Sequence, residues 1–262
     1  MNQSRVFWGL ILILAGIIFA LGNFGIINTK DVWGILGPSL MIIFGLWIVL
    51  RRWMRHQTIN HAFEIPLGDA SSGDLRIDFG AGRLNVATGT NPEIFIEGAS
   101  SGEVNQKVQR VNQKIEAHLK MPSADLPIFS TIDNLNWSLL LNPKIPLRIE
   151  IQTGASENLV DLRKLQVTNL KVSSGASSTK ILLPESNSSS MVYINAGAAS
   201  IEVEIPTGVA ARIHTQGALS SVSVDTSRFP KSQNFYQSPD YEESSNRIDV
   251  KAEIGVGSLV IR

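Results

Sequence analysis

The stretches LKVSSGASSTKILLP at residues 170–184 and VYINAGAASIEVEIP at residues 192–206 decide the fold of this chain. In each, a run of alternating apolar and polar residues leads into a Gly-Ala pair, and a second alternating run follows. Ile201 and Val203 alternate with Glu202, which is the pattern of a strand with one buried face. The sequence therefore predicts pairs of β-strands that meet at a turn of small residues.

The same unit occurs several more times along the chain. Further copies lie at residues 75–86, 147–162, 211–225 and 248–262. A turn glycine recurs every 20 to 22 residues over four successive copies. A period near 20 with one turn per unit is typical of solenoids, in which each rung buries its apolar face only by stacking on its neighbours. We therefore expect a single β-solenoid-like domain over residues 74–262.

The turn glycines are the structural site residues that the sequence singles out. Glycine can take positive φ and carries no side chain that would clash with the next rung, and we expect both properties at these turns. The predicted turn glycines are Gly80, Gly82, Gly154, Gly175, Gly197, Gly217, Gly255 and Gly257. A phosphate-binding loop at residues 80–82 is disfavoured, because the chain continues as a strand and not as a helix.

One segment inside the domain is ambiguous. Over residues 103–120, Val104, Val108 and Val111 have helical spacing, whereas Ala117 and Leu119 have the spacing of a strand. Periodicity alone leaves both structures open.

The N-terminal segment has a different character. Residues 6–27 and 32–50 contain no charged residue, and each run is long enough, at about 1.5 Å per helical residue, to cross a bilayer core of roughly 30 Å. We therefore expect a two-helix transmembrane hairpin over residues 1–56, followed by a linker at residues 57–73. A cleaved signal peptide is disfavoured, because the first run is too long and a second run follows almost at once.

Basic residues at the outer ends of the two runs predict the orientation. Arg5 precedes the first run, and Arg51, Arg52 and Arg55 follow the second. The positive-inside rule places the N-terminus and the β domain in the cytoplasm, in a multi-pass protein of the cell membrane. The three arginines after the second helix could contact anionic lipid headgroups, or could simply extend from a helix end toward the interface.

Composition excludes several functions. The 23 basic and 23 acidic residues give zero net charge, which argues against a nucleic-acid partner. The absence of cysteine excludes disulfides, thiolate metal sites and a cysteine nucleophile. The four histidines fit no catalytic or metal-binding motif, and Glu202 and Glu204 are expected on a solvated strand face. We therefore expect a protein that is not an enzyme and needs no cofactor or metal.

Several motifs carry a resemblance to a known family. They are the apolar pair of N-terminal runs, the stretch WSLLLNPKIPL at residues 137–147, the Gly-Ala rungs, and the closing stretches at residues 236–241, 246–250 and 255–259. The first resembles the transmembrane module of LiaI and LiaF proteins, and the others resemble the LiaF-type C-terminal domain, called the toastrack domain. The resemblance favours strand over helix for residues 114–121. LiaF itself has a longer membrane region than this chain.

The resemblance also implies a function. LiaF holds back a membrane histidine kinase that responds to cell-wall antibiotics, so a LiaF-like chain is expected to regulate the envelope stress response by protein binding. By this analogy the partners are the lipid bilayer and another membrane or signalling protein, such as a sensor kinase, and a homo-oligomer is a further expectation. The analogy does not fix the function, because one fold serves many. The alternative is a scaffold that self-assembles at the membrane through its β-solenoid.

Overall fold

The computed structural model describes residues 61–121, 135–185 and 189–262. All the regular secondary structure in these ranges consists of β-strands. The strands are β1 (His61–Pro66), β2 (Ser72–Thr88), β3 (Ile94–Ser100), β4 (Asn105–Val111), β5 (Lys114–Lys120), β6 (Asn136–Leu141), β7 (Pro146–Asp161), β8 (Gln166–Leu182), β9 (Ser189–Glu204), β10 (Ala210–Val224), β11 (Lys231–Ser232), β12 (Phe235–Gln237) and β13 (Arg247–Ile261).

The predicted membrane hairpin falls outside this part of the chain. Its two helices at residues 6–27 and 32–50 lie outside the described residues, as do Arg51, Arg52 and Arg55. Over the ranges that the structure does describe, no helix has the length and apolar character needed to cross a bilayer.

Six long strands form the body of the domain. β2, β7, β8, β9, β13 and β10 lie side by side in that order, and each pairs in parallel with its neighbours. We call these six strands the rungs, and the stack that they form the rack. β13 lies between β9 and β10, so the last two copies of the repeat stack in the reverse of their chain order. The chain leaves β10, forms β11 and β12 beside it, and then returns to fill the place next to β9.

Each rung turns a corner near its middle. In β7 the buried residues are odd-numbered before Gly154, such as Ile149 and Ile151, and even-numbered after it, such as Asn158 and Val160. In a straight strand, odd and even side chains point to opposite faces. Because both sets are buried, the rung must bend at Gly154 so that its two halves face one core. We call the parts before and after this corner the first half and the second half of a rung.

The core lies inside the corner. Equivalent residues of neighbouring rungs are in register, so that Ile149, Leu170 and Val192 form one buried apolar row. Phe79 and Trp137 close the core near the corner of β2, with ring centroids 5.3 Å apart. Burial of these rows is the main stabilising contribution, because a single rung could not bury its apolar face alone.

The rack is covered by additional strands beyond β2. β5 pairs with the first half of β2, β4 pairs with β5, and β6 pairs with the second half. β3 and then β1 extend the sheet beyond β6. The ambiguous segment at residues 103–120 therefore contains the β4–β5 hairpin, and the strand alternative is the correct one. Burial decides the outcome, since Ile115, Ala117 and Leu119 all point into the core.

The predicted linker at residues 57–73 needs correction. Residues His61–Pro66 form β1, which pairs antiparallel with β3, and β2 already begins at Ser72. The segment pairs as a strand because Ile65 is buried in the core and Phe63 packs against it. A run of six residues ending at Pro66 is too short to be separated from a linker by periodicity alone.

Candidate functional site

The corners of the rungs form a column of very close backbone contacts. Gly80, Gly154, Gly175, Gly197 and Gly255 occupy equivalent positions in β2, β7, β8, β9 and β13. A Cβ added at Gly154 would lie 2.3 Å from the carbonyl oxygen of Gly80, and one at Gly175 would lie 3.0 Å from that of Gly154. A Cβ added at Gly197 would lie 3.0 Å from the carbonyl oxygen of Gly175, and one at Gly255 would lie 2.7 Å from that of Gly197. Glycine at these four positions is explained by the carbonyl of the neighbouring rung.

The expectation of positive φ is wrong for most of the turn glycines. Positive φ occurs at Gly82, with 116°, and at Gly257, with 131°, each two residues beyond the column. Gly154, Gly175 and Gly197 do not lie in the left-handed region. The corner therefore uses two distinct properties of glycine at two positions. Small size is needed in the column, and conformational freedom is needed beyond it.

Gly217 does not belong to the column. The register of β10 against β13 places Gly217 opposite Ile254 and Leu219 opposite Val256, so Ala218 stands beside Gly255. The nearest atom to a Cβ added at Gly217 would be the Ser220 hydroxyl oxygen, a side-chain atom. The Gly-Ala motif of β10 is thus shifted by one residue relative to the same motif in β9.

The outward side of the first halves carries a continuous row of mostly basic and aromatic side chains, which we call the cationic row. Strand register aligns its eight members across β4, β5 and the six rungs. They are Lys107, His118, Arg76, Glu150, Lys171, Tyr193, Lys251 and His214. Glu150 is the single carboxylate in the row, and the Lys251 ammonium lies 5.7 Å from the ring centroid of Tyr193.

Carboxylates of the adjacent rows anchor part of this face. The Asp78 carboxylate lies 2.7 Å from Nε2 of His118 and 3.2 Å from Nε of Arg76. Burial alone would raise the pKa of Asp78, but the hydrogen bonds with His118 and Arg76 outweigh it and lower the pKa below its ordinary value. Asp78 is therefore held as an anion that fixes the positions of two members of the cationic row.

Glu150 is fixed in a similar way. The side-chain amide of Gln152 donates to Glu150 at 3.0 Å, and the Lys171 ammonium donates to it at 3.1 Å. The hydrogen bond from Gln152, followed by that from Lys171, lowers the pKa of Glu150. Lys114 lies between Asp74 and Glu116, at 2.7 and 3.0 Å, and the hydrogen bonds to these two carboxylates raise its pKa.

A shallow depression of about 330 Å³ lies on this face between β4, β5, β2 and β7. Lys107 and Arg148 line it, and both are exposed. Within the three described ranges, neither cation has an ion-pair partner, in contrast to Arg76 and Lys171. Asp74, Glu116 and Glu150 also line the depression, and these carboxylates pair with Lys114 and Lys171. Lys107 and Arg148 are therefore exposed cations that remain outside the existing ion pairs.

The outward side of the second halves is mostly polar, with Leu159 and Val260 as exposed apolar residues, and its charges pair with one another. The Lys180 ammonium bridges Glu202 at 3.1 Å and Glu204 at 3.6 Å, and Arg262 pairs with the same two carboxylates. The two glutamates lie on a solvent-facing strand surface, where four charges neutralise one another. They do not face each other across a cleft, as an acid and base that share a substrate would.

The histidines among the described residues are dispersed over the domain. His118 contacts Asp78, and His214 packs against Phe235 with ring centroids 5.4 Å apart. Among the described residues, no three His, Cys, Asp or Glu side chains come close enough to hold a metal ion.

The cationic row was not predicted from the sequence, because its members come from eight strands and are aligned only by register. The alternation of polar residues along each strand was its only trace.

Comparisons with known proteins were made by sequence and by structure. The family model of the N-terminal domain of toast_rack matches residues 54–204, and that of the LiaF transmembrane domain matches residues 7–68. A search of curated proteins found no match.

Solved structures include proteins of the same fold. A candidate cell adhesion protein from Clostridium sporogenes ATCC 15579 superposes with a TM-score of 0.72 at 23% identity, covering 78% of this chain and 99% of that one. A candidate adhesin from Bacteroides fragilis NCTC 9343 reaches a TM-score of 0.35 at 9% identity, covering 79% of this chain and 98% of that one. The first likeness supports the fold alone, and the second is too weak to carry an argument.

These matches confirm the resemblance that was drawn from the sequence motifs. The all-β rack agrees with the toastrack expectation, and the LiaF transmembrane domain makes this a membrane protein. Because the toast_rack model covers more than half of the sequence, the chain belongs to the toast_rack family, and it carries a LiaF transmembrane domain at its N-terminal end.

Proposed function

We propose that this protein is a membrane-anchored, non-enzymatic regulator of the cell-envelope stress response, acting through protein binding by its rack. One observation carries the proposal: a LiaF transmembrane domain and a toast_rack domain occur on the same chain. LiaF proteins act on a membrane histidine kinase, so a sensor kinase is the first candidate partner by analogy. A regulator of this kind needs a recognition surface and no catalytic group.

The anchor supports this role by confining the rack to the membrane surface. Confinement raises the effective concentration of the rack toward other membrane proteins without any new contact.

We further propose two spans with the rack in the cytoplasm, and contact of Arg51, Arg52 and Arg55 with lipid headgroups. Because the chain has no cysteine, single cysteines can test the topology. Thr29→Cys should react with an impermeant external thiol reagent in intact cells, and Ser178→Cys should not. The opposite labelling pattern would overturn the orientation.

The depression beside the cationic row is the best candidate recognition surface. Lys107 and Arg148 are exposed there and form no ion pair among the described residues, so an acidic segment of a partner would gain two ion pairs without breaking existing ones. The neighbouring charges are already held in place by Asp78 and Glu150. Such fixed, complementary charge favours specificity and association rate.

Charge reversal tests the surface directly. The double variant Lys107→Glu and Arg148→Glu, in the full-length chain at its normal level, should abolish most of the effect on an envelope-stress reporter and reduce kinase copurification. Lys164→Glu is the matched control, because Lys164 is an exposed lysine in the turn between β7 and β8, away from the depression. A double variant that regulates as well as the control would remove this surface from the proposal.

A further inference from the structure

Three of the four outer margins of the rack are covered by additional strands. β5 and β4 cover the first half of β2, and β6, β3 and β1 cover its second half. At the other end, β12 pairs with Arg212 and Ile213 in the first half of β10. Among the described residues, no strand lies beside the remaining part of β10, at residues 215–224. We call this segment the open edge.

The open edge lacks the features that usually protect an unpaired strand. Natural edge strands are blunted by charges, prolines or bulges, because their free N–H and C=O groups can pair with another chain. The other outermost strands follow this rule, with Glu64 and Pro66 in β1 and with Lys107 and Arg110 in β4. Residues 215–224 contain no charged residue and no proline.

The core is also incompletely covered at this edge. Val222 and Val224 point toward the core and pack against it, but both remain only partly buried. Equivalent side chains one rung inward, Leu259 and Ile261, are 1% exposed. At the corner, Leu219 is 79% exposed. The edge therefore exposes both unpaired backbone groups and apolar side chains.

We propose that a second copy of this chain covers the open edge, with the second halves of the two β10 strands, residues 219–224, paired antiparallel about a two-fold axis. One such contact pairs both open edges at once and leaves no new edge, so the assembly closes as a dimer. Pairing the segment with itself brings no like charges together, because it carries none. In the joined sheet, Val222 and Val224 of both copies lie on the same side and complete each other's core.

The opposite end of the rack is a poorer partner for this edge. A head-to-tail contact would bring the open edge against β1 or β4, whose charges and proline oppose strand addition. The structure thus favours a closed pair over an open filament. This pairing involves the rack alone and does not depend on the regulatory role proposed above. Anchoring both copies in one membrane raises their effective concentration toward each other.

Single-cysteine crosslinking of the full-length chain in native membranes tests the pairing. Ser221→Cys and Ser223→Cys place thiols on exposed positions of the open edge, and Ser178→Cys is the matched control on the same outward side of an interior rung. With a short bifunctional thiol reagent, the two edge variants should give a dimer band at least fivefold stronger than the control. Equal crosslinking at all three positions would indicate random collision and would overturn the proposal.

A second experiment introduces a charge on the open edge and measures the same dimer band. Ser223→Lys, combined with Ser221→Cys, should reduce the dimer band at least fivefold, because it brings like charges together across the axis. Ser178→Lys combined with Ser221→Cys should leave the band unchanged. If neither edge cysteine crosslinks while the amides of residues 215–224 exchange slowly with solvent, another part of the chain or another protein covers the edge. That outcome would also overturn the proposal.

Discussion

The corners of β7 and β10 contain the same Gly-Ala pair, yet the two glycines stand in different surroundings. Gly154 of β7 faces the carbonyl oxygen of Gly80 in the neighbouring rung. Gly217 of β10 stands opposite Ile254 and would first meet the hydroxyl of Ser220. The pair in the sequence marks a corner in both rungs. Whether glycine is required there depends on the register of the neighbouring rung, and a motif alone does not contain that information.

The largest expected effect lies just beyond the column, at Gly257. Gly257→Ala would force a side chain onto a backbone with φ of 131°, and the new Cβ would lie 1.9 Å from the carbonyl oxygen of Ala199. Both the strain and the clash oppose folding, so we expect a loss of about 3 kcal/mol or more in the free energy of unfolding. Urea denaturation of the full-length chain in detergent measures it. Stability equal to that of the natural chain would show that the corner geometry is wrong.

Gly154→Ala should have the next largest effect. Its Cβ would lie 2.3 Å from a backbone oxygen, and backbone cannot move aside as a flexible side chain can. We expect a loss of about 2 kcal/mol, within the range for overpacked sites. Gly80→Ala is the matched control in the same column, because its Cβ would lie 3.6 Å from the Met121 sulfur, an ordinary contact distance. A larger loss at Gly80 than at Gly154 would contradict the column.

Valine at Gly175 or Gly197 should cost somewhat less in each case. Both added Cβ atoms would lie 3.0 Å from a carbonyl oxygen, so the neighbouring rung must shift by a few tenths of an ångström. We expect each variant to lose about 1–2 kcal/mol. Thermal melting of the two variants measures the loss. Unchanged melting temperatures of both would show that the neighbouring carbonyl oxygens do not require glycine at these positions.

Gly217→Ala should have a small effect, about 0.5 kcal/mol or less, as at an ordinary surface site. The Ser220 hydroxyl can rotate away from the new methyl group, and the residue is exposed. The same denaturation assay applies. This variant sharpens the comparison with Gly154, because the two glycines have the same neighbour in the sequence. Similar losses at both positions would mean that register does not matter.

The carboxylates that hold the cationic row in place should contribute less to the free energy of unfolding than the glycine column does, and only above acidic pH. The lowered pKa values of Asp78 and Glu150 mean that each carboxylate stabilises the fold above its unfolded pKa of about 4. This contribution is lost as the pH falls through the lower folded values. The stabilisation from these two carboxylates should therefore be nearly constant between about pH 5 and 7, and the free energy of unfolding should decline below about pH 4. Asp78→Asn should flatten the decline, and an unchanged decline would exclude Asp78 as a source.

Much of the fold could be predicted from local sequence patterns. The alternation of residues such as Ile149 and Ile151 predicts the strands, and the Gly-Ala spacing predicts the rungs. Order in the stack was not predictable, because β13 reaches its place next to β9 only after the excursion through β11 and β12. Nor was the conformation of the corner glycines, since φ depends on how the neighbouring rung closes.

The candidate surface was harder to foresee than the fold. Lys107 and Arg148 are distant in sequence and meet on one face only because β4, β5, β2 and β7 pair in one register. Unlike a catalytic motif, a recognition face of this kind requires no fixed spacing of residues. The family resemblance, which rests on several separate motifs, was therefore a better guide to the proposed function than any single residue.

Deletion of residues 60–262 tests the central claim most directly, namely that the rack regulates and the anchor only localises. An envelope-stress reporter is measured in cells with the natural gene, with the deletion, and with no gene, before and after treatment with a cell-wall antibiotic. We expect the deletion to shift the reporter as far as the loss of the whole gene does, although the anchor still reaches the membrane. A reporter response in the deletion strain equal to that with the natural gene would contradict the account.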